Sequence, residues 1–247
     1  MKKLMKKTVA FLLFAAGTAF ANEEGPALDA APLDLHDKAS LQRGAAIFVN
    51  HCLNCHSASV MRYGRLKDLG LEEEQIKANL LFTTDRVGDT MVSAMDPKVA
   101  KAAFGTVPPD LSLVARSRSP DWLYTYMRSF YRDPASKTGW NNTIFPNVAM
   151  PHVLWEYQGP QDLEVTEHQD PNSGETVKHA RLVPEHPGKL SAVEYDRYVG
   201  DLVNYLAFMG EPAQGDRKFW GTLVLFFLAG FFILASLLKH EYWKDVR

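Results

Sequence analysis

The feature that most constrains this chain is the pentapeptide Cys52-Leu53-Asn54-Cys55-His56, which contains both cysteines of the sequence. Two thiols three residues apart can add to the two vinyl groups of a single haem, and the imidazole that follows reaches the iron from the same face. The motif therefore predicts one covalently attached haem c, with Cys52 and Cys55 as thioether attachments and His56 as an axial ligand. A scaffold built on disulfides is excluded, since no other cysteine is present.

Two other chemistries use closely spaced cysteines. A thioredoxin-like redox pair needs a βαβ context, which the sequence pattern lacks. A zinc site needs four ligands in a tetrahedron, but there are no further cysteines, and His51 adjoins Cys52 too closely to turn toward the same metal. Neither alternative fits the sequence as well as haem attachment.

The second axial position of the iron decides what such a haem does. An open position binds oxygen or peroxide and indicates an enzyme or a sensor, whereas a protein ligand restricts the haem to electron transfer. The candidates are the histidines and six methionines: Met61, Met91, Met95, Met127, Met150 and Met209.

Sequence position separates these methionines. Met61 is too close to His56 to wrap around a haem, while Met127 and Met209 fall within predicted helices, where a core role is expected. Met91 and Met95 lie in a polar stretch and remain candidates for the second ligand. Met150 lies in the segment 145–152, where two prolines hold the chain extended as a ligand strap requires, and His152 is its rival two residues later.

Both ends of the chain carry membrane signals. Residues 1–21 combine four lysines, a short apolar run and Ala19-Phe20-Ala21, which predicts a cleaved secretory signal peptide; an uncleaved anchor is the alternative. Residues 219–238 contain no charge and are long enough to cross a bilayer. We therefore expect a periplasmic body over 22–215, a transmembrane anchor over 216–238 and a cytoplasmic tail over 239–247 in a bacterial inner membrane.

Charge bears on the class of partner. The whole chain has a net charge of −2, and without the four lysines of the first seven residues, 23 basic residues face 29 acidic ones, for a net charge of −6. This balance argues against nucleic-acid binding and leaves room for a basic protein partner. The acidic residues between 162 and 175 are expected to form a solvated face, with a docking role as the alternative.

The body is predicted to be mainly α. Ser40 is expected to cap a first helix whose apolar face contains Leu41, Ala45, Phe48 and Cys52. Further helices are predicted to start at 72–74, at Ser119-Pro120 and at the capping box 191–194. Residues 22–38 are expected to wrap the surface without regular structure, 163–183 to form a hairpin, and 212–216 to form a hinge into the anchor.

Several motifs follow one another along the chain. The haem motif comes first, followed in order by Pro108-Pro109-Asp110-Leu111-Ser112, Arg116-Ser117-Arg118, Ala149-Met150-Pro151, a helix ending in 209–212 and the C-terminal anchor. This ordered set resembles the cytochrome c1 family in its bacterial form, over essentially the whole chain after residue 21. The resemblance implies that His56 and Met150 are the axial ligands. It also implies that Pro108 to Ser112, including Pro109, pack along the haem and that Arg118 pairs with a propionate, with Arg116 as the rival.

The resemblance further implies a cytochrome c-like helical haem domain with loop insertions. It implies a subunit of a dimeric quinol–cytochrome c reductase that takes one electron from the Rieske iron–sulfur protein, passes it to a cytochrome c, and packs its anchor against cytochrome b. Such a chain is an electron-transfer subunit and is not catalytic alone. The alternatives are a free-standing tail-anchored cytochrome and a haem enzyme or sensor with an open iron site.

Overall fold

The computed structural model describes residues 26–169 and 176–245, and helices dominate this part of the chain. The helices are α1 (Lys38–Ile47), α2 (Glu73–Asn79), α3 (Pro97–Phe104), α4 (Val114–Ser117), α5 (Pro120–Arg128), α6 (Trp155–Gln158), α7 (Ala192–Gly210) and α8 (Gln214–Tyr242). A π-helical turn (Phe48–Cys52) extends α1, and a 3₁₀ helix covers Tyr63–Leu69. The predicted mainly α class is confirmed.

The strands form three separate antiparallel pairs. They are β1 (Ala58–Arg62) with β2 (Thr90–Met91), β3 (Phe130–Arg132) with β4 (Trp140–Asn142), and β5 (Gln161–Gln169) with β6 (Thr176–Pro184). The last pair is the predicted hairpin, longer than expected at both ends, and its turn lies outside the described residues. Glu164 stands directly opposite Arg181, so the register places a basic residue across from the acidic run.

The cap of helix α1 lies three residues before the expected one. The Asp37 carboxylate accepts a hydrogen bond from the Ser40 backbone N–H, so Asp37 is the cap and the prediction of Ser40 in that role is wrong. A carboxylate at this position also favours the positive end of the helix dipole. The predicted apolar face is confirmed, since Leu41, Ala45, Phe48 and Cys52 are all buried.

The starts of the later helices agree with prediction. Ser119 caps α5 through its hydroxyl, and Ser191 and Glu194 form the reciprocal capping box of α7. Glu72 and Gln75 form a similar box at α2. These starts depend on hydrogen bonds between residues three apart, which local sequence determines.

Helices α1 and α7 cross at close range, and Gly44 makes the crossing possible. A β-carbon at Gly44 would lie 2.0 Å from the Asp201 carbonyl oxygen and 2.7 Å from the Tyr205 β-carbon. Phe48 and Tyr205, two of the largest fully buried side chains, lie beside this crossing with their ring centres 5.7 Å apart. The core therefore sits directly beneath the turn that carries the two cysteines.

The segment 26–37 has no regular structure, as predicted, yet it is pinned to the core helices. The Asp29 N–H donates to the Thr125 hydroxyl, and the Asn204 side-chain amide both accepts from the Asp34 N–H and donates to the Asp34 carbonyl. Asn204 is almost fully buried, so these bonds satisfy a polar group in the core. The segment thus ties α5 to α7.

Helix α8 begins inside the region that we expected to be a hinge. Only residues 211–213 separate α7 from α8, because Asp216 in the first turn favours helix formation there. The 29 residues of α8 span about 43 Å, enough to cross a bilayer, and its apolar side chains are exposed. The predicted signal peptide lies outside the described residues.

Substitution of Gly44 by alanine should destabilise the protein by about 3 kcal/mol, because the added methyl group overlaps backbone atoms of α7. Gly88→Ala is the matched control, since a β-carbon there meets nothing within 4 Å. Denaturant unfolding of the haem-loaded protein measures both changes in the free energy of unfolding. Equal stability of the two variants would refute the close crossing.

Candidate haem-binding site

The motif 52–56 lies on the turn that ends the first helix. The backbone N–H groups of Cys55 and His56 both donate to the Cys52 carbonyl oxygen, at 3.1 and 2.8 Å. These two hydrogen bonds close the chain into one tight turn. Both thiols and the imidazole are therefore presented from a single rigid element, as attachment to one haem requires.

The environment of the thiols suits attachment better than redox exchange. Neither cysteine forms a disulfide. Burial raises the pKa of Cys52 to about 12, and it also raises the pKa of Cys55. An exchanging pair needs a lowered pKa to supply thiolate at neutral pH. The donor set therefore fits a haem held by thioether bonds.

The imidazole of His56 is held in one tautomer by a backbone carbonyl. Its Nδ1 atom lies 2.7 Å from the Pro109 carbonyl oxygen, and because a carbonyl can only accept, Nδ1 carries the proton. Burial lowers the pKa of His56, while the Pro109 carbonyl and the Asp110 carboxylate act in the opposite direction. The ring is neutral, and its Nε2 lone pair is available to a metal.

The segment 109–112 is itself bound to the strand that follows the motif. The Asp110 carboxylate accepts from the backbone N–H groups of Ser59 and Ser112, each at 2.8 Å. The Leu111 N–H donates to the Ser57 carbonyl at 2.8 Å. These bonds fix the position of Pro109. The family resemblance implies that Pro109 packs along the haem, and the Pro109 carbonyl lies against His56.

The candidate methionines fall into two groups by burial. Four are buried, namely Met61, Met91, Met127 and Met209, whereas Met95 and Met150 are only partly buried. The Met91 sulfur accepts a hydrogen bond from the Tyr205 hydroxyl at 3.6 Å, and both side chains lie in the core. Met91 therefore cannot reach a bound group without repacking the core.

Met150 lies against helix α5. Its sulfur accepts a hydrogen bond from the Tyr126 hydroxyl at 3.4 Å. Burial raises the pKa of Tyr126, so this hydroxyl keeps its proton. The Tyr126 ring stacks on Trp122 with 4.7 Å between ring centres and meets Phe130 edge-on at 5.0 Å.

Two asparagines hold the chain that leads to Met150. The Asn142 amide donates to the Tyr126 carbonyl at 2.8 Å, and its oxygen accepts from the Ile144 and Phe145 N–H groups. The Asn141 oxygen accepts from the Asn147 N–H at 2.8 Å. The segment 143–150 is therefore fixed to α5 through side-chain to backbone bonds.

His152, the rival of Met150, is occupied in the core. Its ring stacks on Phe130 with an interplanar angle of 2°, and its Nε2 atom bonds to the Gln158 side-chain oxygen at 2.7 Å. Burial lowers the pKa of His152 to about 4, so the ring is neutral. Within the described part of the chain, its Nδ1 atom has no hydrogen-bond partner.

The two candidate arginines lie in different surroundings. The Arg118 guanidinium lies 5.1 Å from the ring centre of Trp122 and 5.7 Å from that of Phe145, beside the strap that carries Met150. Arg116 packs its side chain near Gly210, at the end of α7. Among the residues that the structure describes, neither arginine forms an ion pair, so both charges are available to an anion.

Sequence reasoning missed three features of the site. They are the acceptor for His56, the contact of Tyr126 with Met150, and the hydrogen bonds of Asn141 and Asn142 to the strap. The acceptor for His56 is a backbone carbonyl, which leaves no side-chain signature. The Tyr126 contact with Met150 joins residues 24 apart, and the sequence pattern indicates only that Tyr126 lies in a helix. The pair Asn141-Asn142 just before a proline-containing loop was the one usable signal, since asparagine side chains often bond to nearby backbone.

Comparison with known proteins places this site in a family. The model of the cytochrome C1 family matches residues 29–171. A cytochrome c1 of Allochromatium vinosum is 49% identical over 247 residues, which cover 100% of both chains. A protein of Nitrosomonas europaea named ammonia monooxygenase gamma subunit is 47% identical over 244 residues, covering 99% of both chains. A mitochondrial cytochrome b-c1 complex catalytic subunit of Candida albicans is 24% identical over 237 residues, covering 85% of this chain and 73% of that protein.

Replacement of Asn142 by alanine should destabilise the protein by about 3 kcal/mol, because the Ile144 and Phe145 N–H groups lose their partner and the Tyr126 carbonyl keeps only the Ser129 N–H. Asn79→Ala is the control, since that exposed amide bonds only to the Gln75 carbonyl and its loss should cost less than about 0.5 kcal/mol. Thermal unfolding of the haem-loaded variants provides the measurement. A loss at Asn142 no larger than that at Asn79 would show that the strap is held by other contacts.

Proposed function

The chain belongs to the cytochrome c1 family, and on that premise we propose that residues 22–215 form a periplasmic domain in which His56 and Met150 ligate the iron of the haem. The protein is the electron-transfer subunit of a cytochrome bc1 complex and carries one covalently bound haem c. When bound, the haem supplies a one-electron couple between ferric and ferrous iron. The observation that carries the proposal is the bond between His56 Nδ1 and the Pro109 carbonyl, which leaves Nε2 free beside two unpaired thiols.

Each residue of the site has a defined part in this function. Cys52 and Cys55 hold the haem through thioether bonds, while the Pro109 carbonyl keeps the proton of His56 on Nδ1 and fixes the plane of the ring. The thioether of Met150, a soft and neutral ligand, stabilises ferrous iron and so raises the reduction potential. With His56 and Met150 both holding the iron, small molecules would be excluded from the metal.

Three observations support Met150 as the second ligand. It is partly buried, whereas Met61, Met91, Met127 and Met209 are buried in the core. Its segment is fixed to α5 by Asn142, which gives a ligand strap the rigidity it needs. The rival His152 already bonds through Nε2 to Gln158. Met95 is the remaining partly buried methionine and serves as the comparison in the test below.

We assign the propionate contact to Arg118. Its guanidinium lies on Trp122, the neighbour of Tyr126, and is therefore on the same side of the domain as the Met150 sulfur. Arginine binds carboxylates with two parallel N–H donors, which suits a propionate. Arg116 lies against the end of α7 instead.

The protein is anchored in a membrane, and helix α8 is long and apolar enough to cross it. We propose that the haem domain faces the periplasm and that 239–247 form the cytoplasmic tail. Within a dimeric complex, the domain would accept an electron from the Rieske iron–sulfur protein and pass it to a cytochrome c, while α8 packs against cytochrome b. The exposed apolar surface of α8 supports such packing in lipid or against another helix.

The name of the Nitrosomonas europaea relative suggests a different activity. Its identity to this chain is almost the same as that of the Allochromatium vinosum cytochrome c1, so overall similarity does not choose between the two names. The proposed second ligand, Met150, does choose, because a haem iron with two protein ligands is restricted to electron transfer. We therefore infer electron transfer for this chain.

Met150→Leu should abolish the sulfur-to-iron charge-transfer band of the oxidised protein and lower its midpoint potential by a large step, because the soft ligand is lost. Met95→Leu and Met91→Leu are the controls and should leave both properties unchanged. Optical redox titration of the haem-loaded protein measures all three variants. A band that survives in Met150→Leu but vanishes in Met95→Leu would transfer the ligand role to Met95.

The rate of electron transfer to a basic cytochrome c should fall roughly ten-fold as the ionic strength rises from about 0.01 M to about 1 M, because screening removes the attraction of a chain whose net charge after its first seven residues is −6. Stopped-flow kinetics with the purified complex provides the measurement. Reduction by an uncharged small reductant is the control and should not depend on salt. Salt-independent transfer to the basic protein would eliminate charge steering.

A further inference from the structure

The hydrogen bond from the Tyr126 hydroxyl to the Met150 sulfur has a consequence for the iron. We propose that Tyr126 is a positioning residue that sets how strongly the Met150 thioether donates to the iron, and thereby sets the reduction potential. This inference rests on the proposed ligand role of Met150. The donor and acceptor lie 3.4 Å apart and come from different elements, helix α5 and the segment 143–150.

The ring of Tyr126 has little freedom to turn away from the sulfur. Trp122 covers one face at 4.7 Å with an interplanar angle of 12°, and Phe130 meets the ring edge-on at 5.0 Å. Only 8% of the Tyr126 surface is exposed. Because water has little access to this hydroxyl, the sulfur is its one acceptor among the described residues.

The strap itself does not depend on this hydroxyl. Asn142 links the Tyr126 carbonyl to the N–H groups of Ile144 and Phe145, and Asn141 holds the Asn147 N–H. Tyr126→Phe keeps the ring, its stacking and these backbone bonds. The substitution therefore removes the O–H···S contact while leaving Met150 on the same segment.

The direction of the effect follows from the O–H dipole. Its positive end points at the sulfur and draws electron density from the lone pairs that the metal uses. Oxidation adds positive charge at the iron, which this dipole opposes, so the hydrogen bond favours the reduced protein. Its loss should make the equilibrium constant for reduction about 3- to 10-fold smaller, within the range of one net hydrogen bond.

The chain offers a matched control in a second tyrosine–methionine pair. The Tyr205 hydroxyl donates to the Met91 sulfur at 3.6 Å, and both side chains are fully buried. Tyr205→Phe removes a bond of the same kind from the core. It should leave the potential unchanged, since Met91 is not a proposed ligand.

The test is an optical redox titration of the full-length, haem-loaded protein carrying Tyr126→Phe or Tyr205→Phe. The expected result is a lower potential in Tyr126→Phe alone, with the sulfur-to-iron charge-transfer band retained in both. In addition, ferric Tyr126→Phe should exchange Met150 for added imidazole more slowly than the unaltered protein, because the sulfur donates more strongly.

The outcomes separate this inference from the ligand assignment. A retained band with an unchanged potential in Tyr126→Phe overturns the inference and leaves Met150 as ligand. A band that survives Met150→Leu overturns both. A shift of the potential in Tyr205→Phe alone would assign the ligand role to Met91. If Tyr126→Phe fails to accumulate, Tyr126→Leu, which also lacks the hydroxyl, replaces it and is judged by the same criteria.

Discussion

The haem site has two parts, the turn that carries the motif 52–56 and the strap 143–150. Both parts depend on one helix contact, the crossing of α1 and α7 at Gly44. Helix α1 runs directly into the turn that carries Cys52, and α7 also packs against α5, which holds the strap of Met150. Helix α7 is thus the common support for segments almost a hundred residues apart in sequence. Because Gly44 has no side chain, the helices approach closely, and the distance between the two supports is fixed by backbone contact.

Backbone carbonyls and buried amides, rather than ion pairs, fix the two proposed ligands, His56 and Met150. On one side the Pro109 carbonyl orients His56, and on the other Asn142 joins the strap to the Tyr126 carbonyl. Uncharged groups suit an electron carrier, since they do not titrate at physiological pH. Because these dipoles are already fixed in place, they reorient little when the charge of the iron changes, so the reorganisation energy of electron transfer stays small.

The sequence predicted best those features that depend on neighbouring residues. The haem motif, the cap at Ser119 and the capping box at 191–194 all involve residues within four positions of each other. The same reasoning placed the first cap at Ser40 instead of Asp37, because both residue types are good caps and pattern alone does not rank them. Helix α3 was missed although Asp96-Pro97 and Gly105 are standard signals at its ends.

Contacts between distant segments could not be predicted in this way. The short pairs β1–β2 and β3–β4 join segments with little alternation, so they depend on tertiary packing. The acceptor for His56 lies 53 residues away and is a main-chain atom. The resemblance to a family indicated Met150 and Arg118, and the structure adds their surroundings: Tyr126 for the first, Trp122 and Phe145 for the second.

We propose that side chains of this protein fill both ligand positions of the haem iron. Exposure of the reduced, haem-loaded protein to carbon monoxide tests it most directly, because this ligand binds ferrous haem wherever an axial position is open. We expect the visible spectrum to stay unchanged after prolonged incubation. Rapid formation of a carbonyl spectrum in the native protein would contradict the account and favour a haem enzyme or sensor.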